Sequence, residues 1–120
     1  MTGIGLSKKL EFSGIGSGDV LIAFSSQRVL KEVRDAAVLA RRRGATVVAV
    51  TDNAANPLAS VSDIVLLAPV TGVSVDYTHV ATLTMIDLLI NSLARENPEK
   101  VRSHLDSETK NCNSRELFCL

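Results

Sequence analysis

The 120-residue sequence predicts a single α/β domain in which helices cover both faces of a parallel β-sheet. Three short aliphatic runs, bounded by turn-forming residues, are typical of buried parallel strands. Hydrophobic residues make up 46% of the chain and aromatic residues only 3%, which suits a sheet built from Val, Leu and Ile. A helical pattern separates the first two runs and gives a βαβ unit.

The predicted elements follow in chain order. The strands are residues 20–24, 46–50 and 64–67. Between the first two, residues 29–43 carry apolar side chains at three- and four-residue spacing, and Gly44 gives the helix a left-handed stop. Asn56-Pro57 is a cap followed by proline, which predicts a short helical turn over residues 57–61.

The last third of the sequence predicts two more helices. Residues 76–93 form a helix with a broad apolar stripe, and Asn97-Pro98 starts a polar helix that ends near Leu105. The polar remainder is expected to be loosely held. The chain therefore divides into residues 1–17 with two glycine-rich loops, a core at 18–95, and a C-terminal helix and tail at 96–120.

Charge and motifs exclude several classes of protein. The 13 basic and 13 acidic residues balance, which argues against direct nucleic-acid binding. The apolar runs are too short to span a membrane, and no signal peptide is expected. Cys112 and Cys119 have no metal-ligand spacing, so reduced thiols in a cytoplasmic protein are expected. The glycine-rich loops lack G-x-G-x-x-G spacing, and neither cofactor nor metal is predicted.

The loop after the first strand carries the strongest candidate site. Ser25, Ser26, Gln27 and Arg28 combine hydroxyl, amide and guanidinium groups just before a predicted helix. At the carboxyl end of a parallel strand this set favours an anion, most plausibly a phosphate. An equally good interpretation is that Ser25 or Ser26 caps the helix, and the same residue can both cap the helix and bind an anion.

Two further positions have weaker signals. Thr51-Asp52-Asn53, at the end of the second strand, is predicted chiefly as an Asx turn. His79 could serve as a general acid or base because histidine titrates near neutrality, although a lone histidine is more often structural.

The sequence resembles the second half of a sugar isomerase (SIS) domain, and within it the phosphosugar-sensing domain of RpiR-type bacterial transcriptional regulators. The stretches that carry the resemblance are residues 18–25, 31–33, 37, 39–40, 43–52, 56–59 and 63–66. The resemblance implies a three-layer sheet of flavodoxin-like winding, here partial, that binds a phosphorylated sugar as an oligomer. Isomerase members carry a Ser-x-Ser-Gly-x-Thr-x-Glu loop, in which Ser25 and Glu32 fit but Gln27, Arg28 and Leu30 depart.

The resemblance also bears on the N-terminal region and on function. Gly3-Ile4-Gly5-Leu6-Ser7 looks like the family's first ligand loop, which implies that Ser7 also binds ligand and that much of the first half is missing after it. Alternatively, residues 10–18 are the first strand and loop, with a deletion after them. On either interpretation we expect the helix-turn-helix domain of the regulators to be absent from this sequence. We expect a sugar-phosphate sensor related to RpiR regulators. The alternatives are an aldose–ketose isomerase using His79, or an assembly remnant without a ligand.

An incomplete first half predicts an exposed strand edge. The strand at residues 20–24 would lose a neighbour, leaving unpaired backbone groups without protecting charges or prolines. We expect residues 10–15 or the same strand of a second chain to cover this edge. The apolar helix at 76–93 would add a second interface, so a homodimer or higher oligomer is predicted.

Overall fold

Three parallel strands form the central sheet. The computed structural model describes residues 14–72 and 77–114, and there the strands are β1 (Val20–Phe24), β2 (Thr46–Thr51) and β3 (Ile64–Leu67). They lie in the order β1-β2-β3, with Val20 opposite Thr46 and Val48 opposite Ile64. The predicted strands are confirmed, and β2 extends one residue further because Thr51 pairs with Leu67.

Helix α1 (Lys31–Arg42) joins β1 to β2. It starts two residues later than predicted because its N-cap, Leu30, is extended, with φ −68° and ψ 137° and no side-chain cap bond. The prediction that Ser25 or Ser26 caps the helix is therefore wrong. The predicted stop is confirmed, since Gly44 has φ 90° and its N–H donates to the Arg41 carbonyl at 3.0 Å.

A capped turn joins β2 to β3. The Asn56 Oδ1 accepts the N–H groups of Leu58 at 3.0 Å and Ala59 at 2.8 Å, as its position before a proline predicts. The helical segment that follows is a single 3₁₀ turn, Ala59–Val61. This turn brings Leu58, which is fully buried, into the core.

One face of the sheet packs against α1. We call it the covered face; its core consists of Ala23, Val47 and Ala49 from the strands, Ala37 and Ala40 from α1, and Ala45 and Leu58 from the connections. Alternate strand residues point to one side, so these strand positions share a face. Alanine at the helix positions allows close approach of α1 to β1 and β2.

The opposite side of the sheet exposes apolar residues. Val20 is 59% exposed, Phe24 41% and Ile64 49%, and together with Ile22 we call these residues the open face. The register places them on one side, since Ile22 lies opposite Val48 and Val48 opposite Ile64. Within the described residues β1 pairs only with β2, so β1 is an edge strand there.

The chain divides into two units, residues 1–82 and 83–120. Helix α2 (Val80–Glu96) begins in the first, and the second contains the rest of α2 and helix α3 (Pro98–Ser114). None of the α2 residues is buried. Helix α3 continues nine residues beyond the predicted end near Leu105, because the polar stretch that follows contains no glycine or proline to stop it.

Several sequence predictions fall outside the described residues. They include Ser7, most of the segment at 10–15, the predicted helix start at Asp76 and Cys119. Helix α2 starts at Val80, where the backbone N–H donates to the Thr78 hydroxyl at 3.4 Å. No helix in the described part of the chain is long and apolar enough to cross a membrane.

Candidate functional site

The carboxyl ends of β1 and β2 bring the candidate residues together. Ser25 continues the sheet, since its N–H donates to the Val50 carbonyl at 3.1 Å. The next three residues, Ser26, Gln27 and Arg28, then lead away from the sheet as a loop before α1. The site predicted from the sequence is thus a loop of its own, separated from the first turn of α1 by Val29 and Leu30.

The loop turns sharply at Gln27. The Arg28 N–H donates to the Ser26 carbonyl at 2.8 Å, which closes a γ-turn centred on Gln27. Gln27 has φ 58°, a value that no other non-glycine residue in the described part of the chain approaches. Its N–H donates to Asp52 Oδ1 at 3.1 Å, so the residue after β2 holds the loop after β1.

A buried polar network supports Asp52. The Thr51 hydroxyl donates to Asp52 Oδ1 at 3.4 Å and accepts a hydrogen bond from the Asn56 side-chain amide. Thr51 is 2% exposed, and Asn56 is fixed in turn by its cap bonds. The predicted Asx turn is confirmed at Asn53, whose side chain accepts the Ala55 N–H at 2.8 Å.

Tyr77 joins the loop from a distant part of the chain. The hydroxyls of Ser26 and Tyr77 lie 2.8 Å apart in a half-buried hydrogen bond. The ring of Tyr77 packs edge-on against His79, with centroids 4.7 Å apart. Thr78 anchors this segment beyond β3, because its N–H donates to the Val70 carbonyl at 2.7 Å. His79 is therefore linked to the site through Tyr77.

A shallow groove of about 550 Å³ lies beside the loop. It runs between the first turn of α1 and the turn after β2, and its charged lining residues are Lys31 and Arg34. Arg34 is paired only loosely with its neighbour Asp35, at 3.9 Å. Lys31 and Arg34 are therefore two positive side chains beside the loop, in addition to Arg28. The Arg28 side chain is exposed and makes no ion pair within the described residues.

Most of the loop's backbone N–H groups are not available to an anion. Those of Ser25, Gln27 and Arg28 already donate to protein acceptors. The Ser25 hydroxyl and the Arg28 guanidinium can meet a ligand. The Ser26 hydroxyl already shares a hydrogen bond with Tyr77 and keeps the capacity for a further one. Such a set suits an anion that also carries hydroxyls.

Sequence reasoning missed three residues of this site. Tyr77 gave no motif signal and reaches Ser26 only through the fold. Lys31 and Arg34 could have been noticed, since both fall in the first turns of the predicted helix at i and i+3. In the described part of the chain, no three His, Cys, Asp or Glu residues are grouped so that they could hold a metal ion.

Two solved structures are similar to this chain. The RpiR transcription factor of Sphaerobacter thermophilus, in its sugar isomerase domain, is 26% identical with a TM-score of 0.77, covering 87% of this chain and 58% of that one. The Vibrio vulnificus NanR protein, complexed with ManNAc-6P, is 28% identical with a TM-score of 0.75, covering 100% of this chain and 46% of that one.

The chain thus spans about half the length of these solved structures. A search of curated proteins found no match. The parallel sheet with its helices agrees with the fold of both solved structures and with the predicted fold class. The SIS domain model matches residues 9–92, most of the chain and all three strands, and the chain therefore belongs to the SIS domain family.

Proposed function

We propose that this chain senses a phosphorylated sugar as the ligand-binding part of an RpiR-like transcriptional regulator of carbohydrate metabolism. In this role it acts in the cytoplasm, binds no nucleic acid by itself, and needs no cofactor or metal. The site falls within residues 18–95, and residues 1–17, the remnant of the first half of the domain, add Ser7.

The observation that carries the proposal is the likeness to NanR. That protein was solved with ManNAc-6P. The match covers the whole length of this chain at 28% identity. The likeness covers the sheet and the loop after β1, which is the place where open parallel sheets bind ligands. It supports a phosphosugar as the ligand class.

The loop at 25–28 supplies the chemistry. Hydroxyls of Ser25 and Ser26 can donate to phosphate oxygens, and the Arg28 guanidinium can add a charge-assisted pair. Gln27 places Ser26 and Arg28 on either side of the turn. Ser7, outside the described residues, completes the proposed set from the N-terminal loop.

Titration calorimetry tests the ligand class. We expect ManNAc-6P or another hexose or pentose phosphate to bind, while the unphosphorylated sugars bind at least tenfold more weakly, because the phosphate supplies the charge-assisted bonds. Absence of both heat and thermal shift with every phosphosugar would contradict the proposal and favour a chain that has no ligand.

An arginine pair locates the site. Arg28→Ala removes the loop guanidinium, and we expect roughly tenfold weaker binding, in line with one charge-assisted hydrogen bond. Arg42→Ala, at the far end of α1, changes the net charge equally and serves as the control. Equal loss of affinity in both variants would indicate a general charge effect and place the ligand elsewhere.

Isomerase activity is a second candidate because the structure links His79 to the loop through Tyr77. A histidine there could move a proton between adjacent sugar carbons. Conversion of a ketose phosphate to its aldose, abolished by His79→Ala, would support this function. Turnover equal to that of buffer would exclude it and leave sensing as the role.

We further propose that the chain is a homodimer or higher oligomer. The open face leaves Val20 and Phe24 exposed, and α2 exposes Leu83, Leu88 and Leu93. Exposed aliphatic surface of this kind is uncommon in monomers, and β1 could pair with the same strand of a second chain. Sedimentation equilibrium in the micromolar range should show association, and a monomer at every concentration would contradict it.

A further inference from the structure

The ligand loop is held in a conformation that a free chain would not favour. Gln27 has φ 58°, and the L-residue left-handed region costs energy for a side chain that cannot compensate locally. The turn around it, closed by the Arg28 N–H and the Ser26 carbonyl at 2.8 Å, is of the rare γ type with positive φ. Something outside the loop must therefore stabilise it.

Asp52 is the residue that reaches the turn. Its Oδ1 accepts the Gln27 N–H at 3.1 Å, and the bond joins positions 25 residues apart in sequence. A carboxylate acceptor makes such a bond stronger than a neutral one. It satisfies the amide of the strained residue itself, so the bond exists only while the loop keeps this shape.

Asp52 is itself fixed in direction. The Thr51 hydroxyl donates to the same Oδ1 at 3.4 Å, and Thr51 is buried and held by the Asn56 side chain. This chain of contacts runs from the capped turn after β2 to the loop after β1. The sheet thereby determines where Ser26 and Arg28 stand.

We propose that Asp52 is a positioning residue for phosphosugar binding: it holds Gln27 in the left-handed conformation that directs Ser26 and Arg28 toward the ligand. The inference rests on the proposed function of the loop. Without Asp52 the turn relaxes, and only a fraction of molecules presents both groups together. Affinity falls by that fraction, with no ligand contact removed.

A double-mutant cycle tests the coupling of Asp52 to Gln27. Asp52→Ala should weaken binding of ManNAc-6P, or of the tightest phosphosugar of the panel, by roughly tenfold. Glycine adopts positive φ without cost, so the same Asp52→Ala change in the Gln27→Gly background should cost less than about threefold. Asp52→Asn keeps an acceptor oxygen and should stay within about threefold of the original protein.

Asp63→Ala is the matched control. This carboxylate holds the opposite end of the sheet, where Oδ2 accepts the Val47 N–H at 2.9 Å and Oδ1 pairs with Arg41 at 3.1 Å. The variant should unfold at lower temperature yet bind the phosphosugar unchanged. A loss of affinity in Asp63→Ala equal to that in Asp52→Ala would overturn the inference, because general destabilisation would then explain both.

Three further affinity results would overturn positioning by Asp52. One is unchanged affinity in Asp52→Ala. Another is an equal loss in the Gln27→Gly background, which would mean that Asp52 does not act through Gln27. Tighter binding by Asp52→Asn would show that the carboxylate repels the phosphate.

Amide exchange separates this inference from the proposed function. In the protein without ligand, the Arg28 amide should exchange roughly tenfold faster in Asp52→Ala, and the difference should disappear in the Gln27→Gly background. Unchanged exchange would contradict the role of Asp52 in the turn. If the exchange behaves as expected but no phosphosugar binds, the proposed function is wrong, and with it the claim that the turn serves this ligand.

Discussion

The two faces of the sheet are built from similar aliphatic residues yet end in different environments. On the covered face Val47 and Ala49 are fully buried under α1, and Leu58 closes the core from the turn after β2. On the open face Val20 is 59% exposed and Ile64 is 49% exposed. The exception on the open face is Val50, which lies opposite Phe24 in the sheet and is only 2% exposed. The residue type alone therefore does not decide burial along these strands.

We expect the covered face to determine folding stability and the open face to determine association between chains. The covered face carries the packing that keeps the strands and the loop at 25–28 in place. The open face would supply apolar surface to the proposed second chain, so a substitution there should change association more than folding. Comparing the two faces by mutation therefore tests both the fold and the proposed oligomer.

Leu58→Ala should have the largest effect. Leu58 is fully buried in the covered face, and truncating a buried leucine leaves a cavity that costs about 2–5 kcal/mol. Urea unfolding followed by circular dichroism measures the change. A loss below about 1 kcal/mol would mean that the turn after β2 can collapse into the cavity, and the contrast between the two faces would weaken.

Asn56→Ala should rank second. The substitution removes the acceptor of the Leu58 and Ala59 N–H groups and the donor to the buried Thr51 hydroxyl. Leaving buried polar groups unpaired costs about 1–3 kcal/mol. Asn53→Ala, which loses one exposed Asx bond, is the control and should cost less. Equal losses would show that water satisfies the groups around Asn56.

The parts of the fold that were predictable are those with a local cause. Aliphatic runs of four or five residues gave the strands, and Gly44 and Asn56 gave a helix stop and a cap by their own backbone chemistry. The start of α1 was placed too early because Val29 is apolar and packs against the core from the loop, so it imitates a helical position. The predicted end of α3 is too early because the apolar spacing stops near Leu105, whereas the helix continues to Ser114.

The candidate site divides in the same way. The loop at 25–28 could be located because it follows a strand and contains hydroxyl and guanidinium groups. Its geometry could not be predicted, since the N–H of Gln27 bonds to Asp52, 25 residues away, and the partner of Ser26 is Tyr77, 51 residues away. Contacts between distant residues leave no spacing in the sequence to detect.

Val20→Ala should have the smallest effect on folding and gives the sharpest comparison, because Val47→Ala is the same substitution on the covered face. Both lie in strands, so the intrinsic loss of β propensity is similar and largely cancels. We expect about 2 kcal/mol for Val47→Ala, which is fully buried, and about 0.5 kcal/mol for Val20→Ala at concentrations where the chain is monomeric. At concentrations where the chain associates, Val20→Ala should shift the sedimentation equilibrium toward monomer while Val47→Ala should not, provided that both remain folded. If Val20→Ala costs as much as Val47→Ala in dilute solution, the open face is covered within a single chain, and the interface must be sought on α2.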